Sequence, residues 1–180
     1  MRVSREQAET NRAAIVTAAS RLFREKGFDG VGVDAIMQAA GLTHGGFYRN
    51  FASKDALAAE AIDRAFAGAS RDATSIRDYA ARYLTPKHRD NPAAGCTFAA
   101  LAGDVAREGK AVRHTFTQHV EAYLDRFVGW MEGRTAAVRR KQAINALAGL
   151  VGALTLARAV DDPELSDEIL AAARSAYGVR

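Results

Sequence analysis

Four histidines and a single cysteine are the residues of this chain best equipped for metal or acid–base chemistry, and their spacing gives them little to work with. His114 and His119 are five apart, which puts them on different faces of a helix and not at the i, i+4 spacing that turns two imidazoles toward one zinc ion. His88 and Asp90 share a polar stretch with no nucleophile in sequence reach. Cys96 cannot form an internal disulfide, and it has no clustered Cys or His companions for a structural zinc site. Neither a phosphate-cradling glycine loop nor a nucleophile elbow is present. The expectation is a chain with no catalytic residues, no metal site and no cofactor. A different chemistry is offered near the N-terminus, where His44, Tyr48 and Arg49 supply polar groups at the spacing of one exposed helical face. Residues 1–54 carry eight Lys and Arg against five Asp and Glu, a net +3, whereas the other 126 residues carry only +1. Basic excess placed this way suits a polyanion such as nucleic acid.

The elements that would position these side chains are helices throughout. Ala14, Ile15, Ala18, Ala19, Leu22 and Phe23 make one apolar stripe, predicting a helix over about 10–26 with Thr10 as cap and Gly27 as terminator. Phe28 then folds back on its end. A second helix is expected over 33–40, with Ile36, Met37 and Ala40 buried and Gly41 just past its end. Only two residues separate Gly41 from His44. Thr43 is a good N-cap for a third helix of about two turns, in which Phe47 and Phe51 face inward and His44, Gly45, Tyr48 and Arg49 face out. Ser53 caps a fourth, reaching about Ser70. Further helices are expected over 74–84, 94–107, 110–131, 135–160 and from Asp162-Pro163 to about Tyr177, with a polar loop at 85–94 broken by Pro86 and Pro92. No period-2 alternation competes. The fold class is all-α, about nine helices in two domains, 1–52 and 53–180.

A helix, a tight glycine-containing turn and a second short helix place an exposed helix in the major groove. The string GFDGVGVDAIMQAAGLTHGGFYRNFASKDAL, from Gly27 to Leu57, closely resembles the N-terminal domain of the TetR/AcrR family of transcriptional regulators. Gly27-Phe28, Ile36, Ala40-Gly41, Gly45, Tyr48, Phe51, Lys54 and Leu57 stand at that family's spacing. The resemblance implies a helix-turn-helix over Gly32 to Phe51, a palindromic double-stranded operator, a homodimer, a small-molecule effector and most often repression. It implies that Lys54 and Tyr48 bind phosphate, that Thr43 contributes its hydroxyl or N–H, and that Gly45 and Gly46 keep the helix thin where it meets DNA. His44 and Arg49 would read base edges or the nearby sugar-phosphate, and Asn50, standing where His is common, would reach phosphate. Val31-Gly32 departs from the Thr or Ser usual before the second helix, which removes a good N-cap and a phosphate contact. The alternative is a helical module that meets other proteins and not DNA.

For the rest, residues 143–157 (AINALAGLVGALTLA) are apolar on nearly every face, the mark of burial on both sides. The run is short for a membrane span and is bounded by Arg139, Arg140, Lys141 and Arg158. A core helix that also forms a subunit interface is expected, with Ile144, Leu147, Gly149, Val151, Gly152, Leu154, Leu165 and Ile169 as candidates. The family's effector pocket lies among middle helices, so Phe66, Tyr79, Tyr83, Phe98, Phe116, Tyr123, Phe127 and Trp130 are lining candidates, although an aromatic stripe at helical spacing is equally core packing. Cys96 joins them with two readings open. It is a small buried hydrophobe, or its place at a helix start lowers its thiol pKa and makes it a sensor. Met1 to Asn11 is polar and offers no apolar segment of a signal peptide, so the cytoplasm is the default.

Overall fold

Ser4 starts the first helix, its Oγ accepting the Gln7 N–H at 3.1 Å, so α1 runs Arg5–Lys26 and begins a turn and a half before the expected Thr10. It stops at Gly27, whose φ of 74° suits glycine, with the Gly27 N–H donating to the Phe23 carbonyl. This is a computed structural model, and it describes residues 4–68 and 72–179. Within them lie ten α-helices, two short 3-10 turns and no strand. After α1 come α2 (Val33–Ala39), a 3-10 turn (His44–Gly46), α3 (Phe47–Asn50), α4 (Lys54–Ala67), α5 (Ile76–Tyr83) and α6 (Pro86–Arg89). A second 3-10 turn (Pro92–Ala94), α7 (Thr97–Val105), α8 (Lys110–Val128), α9 (Ala136–Ala159) and α10 (Pro163–Ala176) complete the chain. The end expected for the fourth helix near Ser70 lies outside the described residues. In the described part the helix reaches Ala67, and Gly68 is its C-cap.

The polar stretch 85–94 is not a plain loop. Thr85 Oγ1 and Asn91 Oδ1 each accept a backbone N–H three residues on, and each is followed by a proline at the first helical position, where the missing N–H costs nothing. Pro86 and Pro92 therefore open short helices where they were expected to punctuate a polar loop.

By packing, the chain divides into two units, one of residues 1–69 with 100–117 and the other of residues 70–99 with 118–180. This seam is not the boundary expected at Ala52. Helix α4 packs along α1 and shares its core, and the chain returns to the first unit at the end of α7 and the start of α8. In the first unit Ile15, Ala19, Leu22 and Phe23 of α1 are buried with Ile36 and Met37 of α2 and with Leu57, Ala58, Ala61 and Ile62 of α4. Phe28 meets Phe23 edge-on at 5.0 Å, the fold-back expected of it.

The second unit is built on α9 and α10, with α5 and α6 against α9. Ala143, Ala146, Leu150, Leu154 and Ala157 recur three and four apart, and that stripe is the buried face of α9. The opposite face is exposed, with Ile144 45% and Leu156 58% accessible. Burial on both sides thus does not occur within one chain. By length and composition alone α9 is long and apolar enough to cross a membrane, a property that core helices of soluble proteins share. Leu154, expected at a subunit interface, is fully buried in the core of its own unit. Gly149 has a local reason to be glycine, because a Cβ there would meet Tyr177 Oη at 2.7 Å, and that hydroxyl donates to the Ala146 carbonyl at 3.1 Å.

Candidate nucleic-acid interface

The short α3 is held by its aromatic face. Phe47 and Phe51 are buried with ring centroids 5.8 Å apart, which forces the intervening positions outward. Tyr48 is 69% exposed, the largest outward aromatic in the described chain, and His44, Gly45 and Arg49 are exposed beside it. The end of α3 is clamped by Arg12 of α1. Its guanidinium lies 4.1 Å above the Phe51 ring and donates to the Asn50 carbonyl and to the Glu60 carboxylate. No spacing in the sequence pointed to Arg12, whose partners are 38 and 48 positions away.

The turn before it is a complete helix stop. Gly41 has φ 71°, its N–H donates to the Gln38 carbonyl and the Leu42 N–H to the Met37 carbonyl, the two bonds of a Schellman motif. The expected N-cap at Thr43 does not form: Thr43 makes no side-chain cap bond, and the first turn is the tighter 3-10 form over His44–Gly46. Two consecutive glycines disfavour the α-helix by about 1 kcal/mol each, and a 3-10 turn at a helix start is a common way to absorb that. They also differ in role. A Cβ on Gly45 would meet open space, whereas one on Gly46 would touch Met37 Cε at 3.4 Å, so only Gly45 borders the surface.

His44 pairs through Nδ1 with the carboxylate of Asp34 on α2, leaving Nε2 as the unengaged ring nitrogen. Asn50 folds back, its Nδ2 donating to the Gly46 carbonyl at 2.8 Å, so it reinforces α3 and has less to offer outside. Lys54 opens α4 behind the Ser53 cap, and its Nζ donates to the Phe28 carbonyl at 2.5 Å. The other side of that peptide is also held, since the Phe28 N–H donates to Asp104 Oδ2 at 3.1 Å. Asp104 comes from 76 positions away, and a Cβ on Gly27 would collide with the same oxygen at 2.5 Å. Nearby, burial and then the carboxylates of Asp55 and Asp29 raise Glu108 above its ordinary range, with Lys54 opposing. Neither Asp34 nor this acidic surround of Lys54 was foreseen from the sequence.

Gly32 caps α2 in extended geometry, φ −82° and ψ 161°, without a side chain to accept an N–H. A Cβ there would meet nothing within 4 Å. Gly32→Ser is therefore expected to stabilise the protein by about 0.5–1 kcal/mol through the new cap bond and a less flexible unfolded chain. Thermal or urea unfolding of the variant checks it, and a loss of stability would contradict the open space and backbone described.

In the second unit, seven of the nine expected pocket residues gather: Tyr79, Tyr83, Cys96, Phe98, Tyr123, Phe127 and Trp130. Tyr79 stacks on Tyr83 at 5.4 Å and meets Phe127 edge-on at 5.1 Å, while Trp130 stacks on Phe127 at 5.3 Å and Phe98 meets Tyr123 at 5.1 Å. Phe66 and Phe116 belong to the first unit. Cys96 precedes α7 and is half-buried as a residue, and burial pushes its thiol up, with the Tyr83 hydroxyl pulling the other way. This is opposite to the lowered value that an activated sensor cysteine requires.

His88 completes the neighbourhood. Its Nε2 accepts the Cys96 N–H at 2.9 Å, so Nδ1 carries the proton donated to the Tyr83 carbonyl at 2.7 Å. Burial pushes the ring below its ordinary value, against the Tyr83 bond. The unfolded chain therefore takes up this proton first. The stability owed to His88 is complete above the unfolded value of about 6.5 and is lost as pH falls from there through the lower folded-state value. We expect the urea midpoint to drop over that window and the imidazole NMR titration of His88 to fall below 6.5. A midpoint at or above 6.5 would contradict the neutral ring.

A short exposed helix carrying His44, Tyr48 and Arg49, set on a buried aromatic base in an all-helical chain, has the arrangement of a helix-turn-helix. Residues 15–61 match the sequence model of the family described as "Bacterial regulatory proteins, tetR family". The resemblance read from residues 27–57 is thereby borne out: residues 15–61 carry that family's sequence pattern. Among solved structures, a TetR-family transcriptional regulator from Cytophaga hutchinsonii superimposes with a TM-score of 0.76 at 19% identity, over 99% of this chain and 97% of that one. A TetR regulator from Chloroflexus aurantiacus gives 0.74 at 21% identity over 96% and 94%. The reduced form of NemR from E. coli gives 0.71 at 19% over 93% and 95%. No curated protein matches the sequence.

Proposed function

We propose that this protein is a cytoplasmic transcriptional repressor that binds a palindromic operator as a homodimer and leaves it when a small-molecule effector binds the second unit. The observation that carries the DNA-binding part is the outward face of α3, where Tyr48, Arg49 and His44 stand exposed beside the open side of Gly45, with Lys54 one turn of chain away. Thr43, Tyr48, Lys54 and the N–H groups opening α4 bind phosphate, and Arg49 and His44 meet base edges, Arg suiting guanine. Asn50 and Gly46 act from behind, shaping α3. Two recognition helices reading one face of a duplex must lie about 34–36 Å apart, and effector binding shifts the pair away from that spacing.

The dimer reading rests on α9 and α10. Between Lys141 and Arg158 no charged side chain interrupts α9, and Ile144 and Leu156 are exposed along it, with Leu165 41% exposed on α10. Leu147, Val151, Gly152 and Ile169, half-buried in one chain, border the same surface.

Two variants test the DNA-binding part. Lys54→Ala is expected to weaken binding about tenfold on every duplex and to lower the slope of log affinity against log salt by about one. Arg49→Ala is expected to cost affinity at one base position of each half-site and to relax preference there. Loss of the same size on all sequences from both variants would argue against base reading by Arg49.

A further inference from the structure

Two buried side-chain polar atoms in the described residues lack a nitrogen or oxygen partner, Tyr83 Oη and Arg158 Nη1, and both belong to the second unit; the Tyr83 hydroxyl faces only the Cys96 thiol, a weak hydrogen-bonding group. Tyr83 is 7% exposed. Arg158 reaches in from α9. Its Nε donates to the Arg89 carbonyl at 3.0 Å and its Nη2 to the His88 carbonyl at 2.8 Å, which leaves Nη1 with nothing to bind. The two side chains meet at His88, whose ring centroid lies 4.6 Å from that of Tyr83 and whose carbonyl accepts from Arg158, so they share one neighbourhood.

Three features fix the chemistry that this pair lacks. Arg158 Nη1 can only donate and the Tyr83 hydroxyl can donate or accept, so an acceptor is the one kind of group that satisfies both. Arg158 makes no ion pair among the described residues; Asp90, which acts on it from a distance, is itself held by Arg89 at 2.7 Å. A half-buried guanidinium bonded only to backbone carbonyls lacks an anion. The adjoining surface is aromatic, with Tyr79 stacked on Tyr83 and followed by Phe127 and Trp130. Arg158 also forms part of the wall of a groove of about 410 Å³, together with Asp90, Pro92, Ala157, Asp161 and Pro163, so its side chain borders open space.

We infer that Tyr83 Oη and Arg158 Nη1 form the polar end of a binding site for a small organic carboxylate, whose oxygens accept from both while its apolar body lies against the Tyr79 and Trp130 side. The inference rests on the reading of the second unit as the effector-binding one and names the class of effector. Burial raises the Tyr83 phenol well above its ordinary value, so it stays protonated and able to donate. Of the other titratable groups nearby, His88 is a neutral ring with both nitrogens engaged, Cys96 is a thiol pushed up by burial, and Asp90, which lines the groove with Asp161, is paired with Arg89.

The test uses the full-length chain and its single tryptophan. Trp130 stacks on Phe127 at 5.3 Å and lies 6.1 Å from Tyr79, so its emission reports on the site. Phenylacetate and acetate are titrated as probes, with phenylacetamide as the uncharged counterpart. Saturable change is expected with phenylacetate, weaker affinity with acetate, and no saturation with the amide. Tyr83→Phe should lose affinity for phenylacetate about tenfold. It should also raise the melting temperature of the ligand-free protein, because it deletes a buried hydroxyl that has no nitrogen or oxygen partner. No saturable response to either carboxylate up to about 10 mM overturns the inference. So does equal binding of the amide, or a Tyr83→Phe variant that binds as well as the parent. A fall in ligand-free melting temperature in that variant, without carboxylate binding, means that ordered water fills the place and overturns it also. If phenylacetate binds in a Tyr83-dependent way but leaves affinity for operator DNA unchanged, the carboxylate site stands and the effector reading of the second unit falls.

Discussion

Replacing Ile144 and Leu156 together by glutamate is expected to leave a folded chain that sediments as a monomer and binds operator DNA 100-fold to 10,000-fold more weakly, the range spanned by about two to four decades of lost avidity. Both side chains are exposed in the single chain, and the core stripe of α9 runs through Ala143, Ala146, Leu150, Leu154 and Ala157, so neither charge enters the core. Helicity and unfolding midpoint should therefore hold. In the dimer each glutamate would meet an apolar partner surface without a counter-charge, which costs several kcal/mol per buried charge and exceeds what a helix-pair interface can offset. Sedimentation equilibrium and a gel-shift titration of the same preparation check both halves. A variant that stays dimeric, or a monomer that keeps full affinity, would remove the exposed face of α9 as the interface.

The second large effect lies under the recognition helix. Phe47→Ala is expected to destabilise the first unit by about 3–5 kcal/mol, comparable with the whole stability of many domains, and to abolish DNA binding with it. Phe47 is buried with Phe51 at 5.8 Å and Tyr48 at 5.1 Å, and α3 is one helical turn long, too short to persist without its packing. Tyr48→Phe offers the contrast. Its hydroxyl belongs to an exposed side chain, so its unfolding midpoint should move by no more than about 0.5 kcal/mol, while affinity falls if it meets phosphate as proposed. Urea unfolding of the two variants followed by circular dichroism, beside their DNA affinities, separates the roles. Equal stability losses would mean that Tyr48 is part of the core.

Much of this arrangement was legible in the residues because its determinants are local. Gly27, Gly41, Thr135 and Asp162-Pro163 mark helix ends through backbone geometry and caps within three or four positions, and α2, α9 and α10 begin or end within a residue of where those signals put them. Phe47 and Phe51 facing in, with Tyr48 and Arg49 facing out, follows from helical spacing alone. The start of α1 was placed late because Ser4 is as good a cap as Thr10 and the intervening residues are polar on every face. Thr43 was a sound cap by type, yet Gly45-Gly46 turned the first turn into a 3-10 helix in which its hydroxyl is not used.

What stayed hidden depends on chain segments far apart in sequence. Arg12 on Phe51 and Asn50, Asp104 on the Phe28 peptide, and Asp34 on His44 are each created by packing, and no motif links their positions. The same holds in the second unit. Tyr83, His88, Cys96 and Arg158 read separately as an aromatic, a loop histidine, a lone cysteine and a helix-bounding charge, and only the fold gathers them around the His88 ring and carbonyl. Phe66 and Phe116 went the other way, since helical spacing could not tell which unit each would join.

The central claim is that the face of α3 reads double-stranded DNA, and selection from random duplexes tests it most directly. The purified chain, at about 100 mM salt, should enrich one sequence with two inverted half-sites whose centres lie about 10 base pairs apart or a multiple of that, and affinity for it should fall steeply as salt rises. An enriched pool that shows no inverted repeat, or no duplex retained even at about 50 mM salt, would contradict the account.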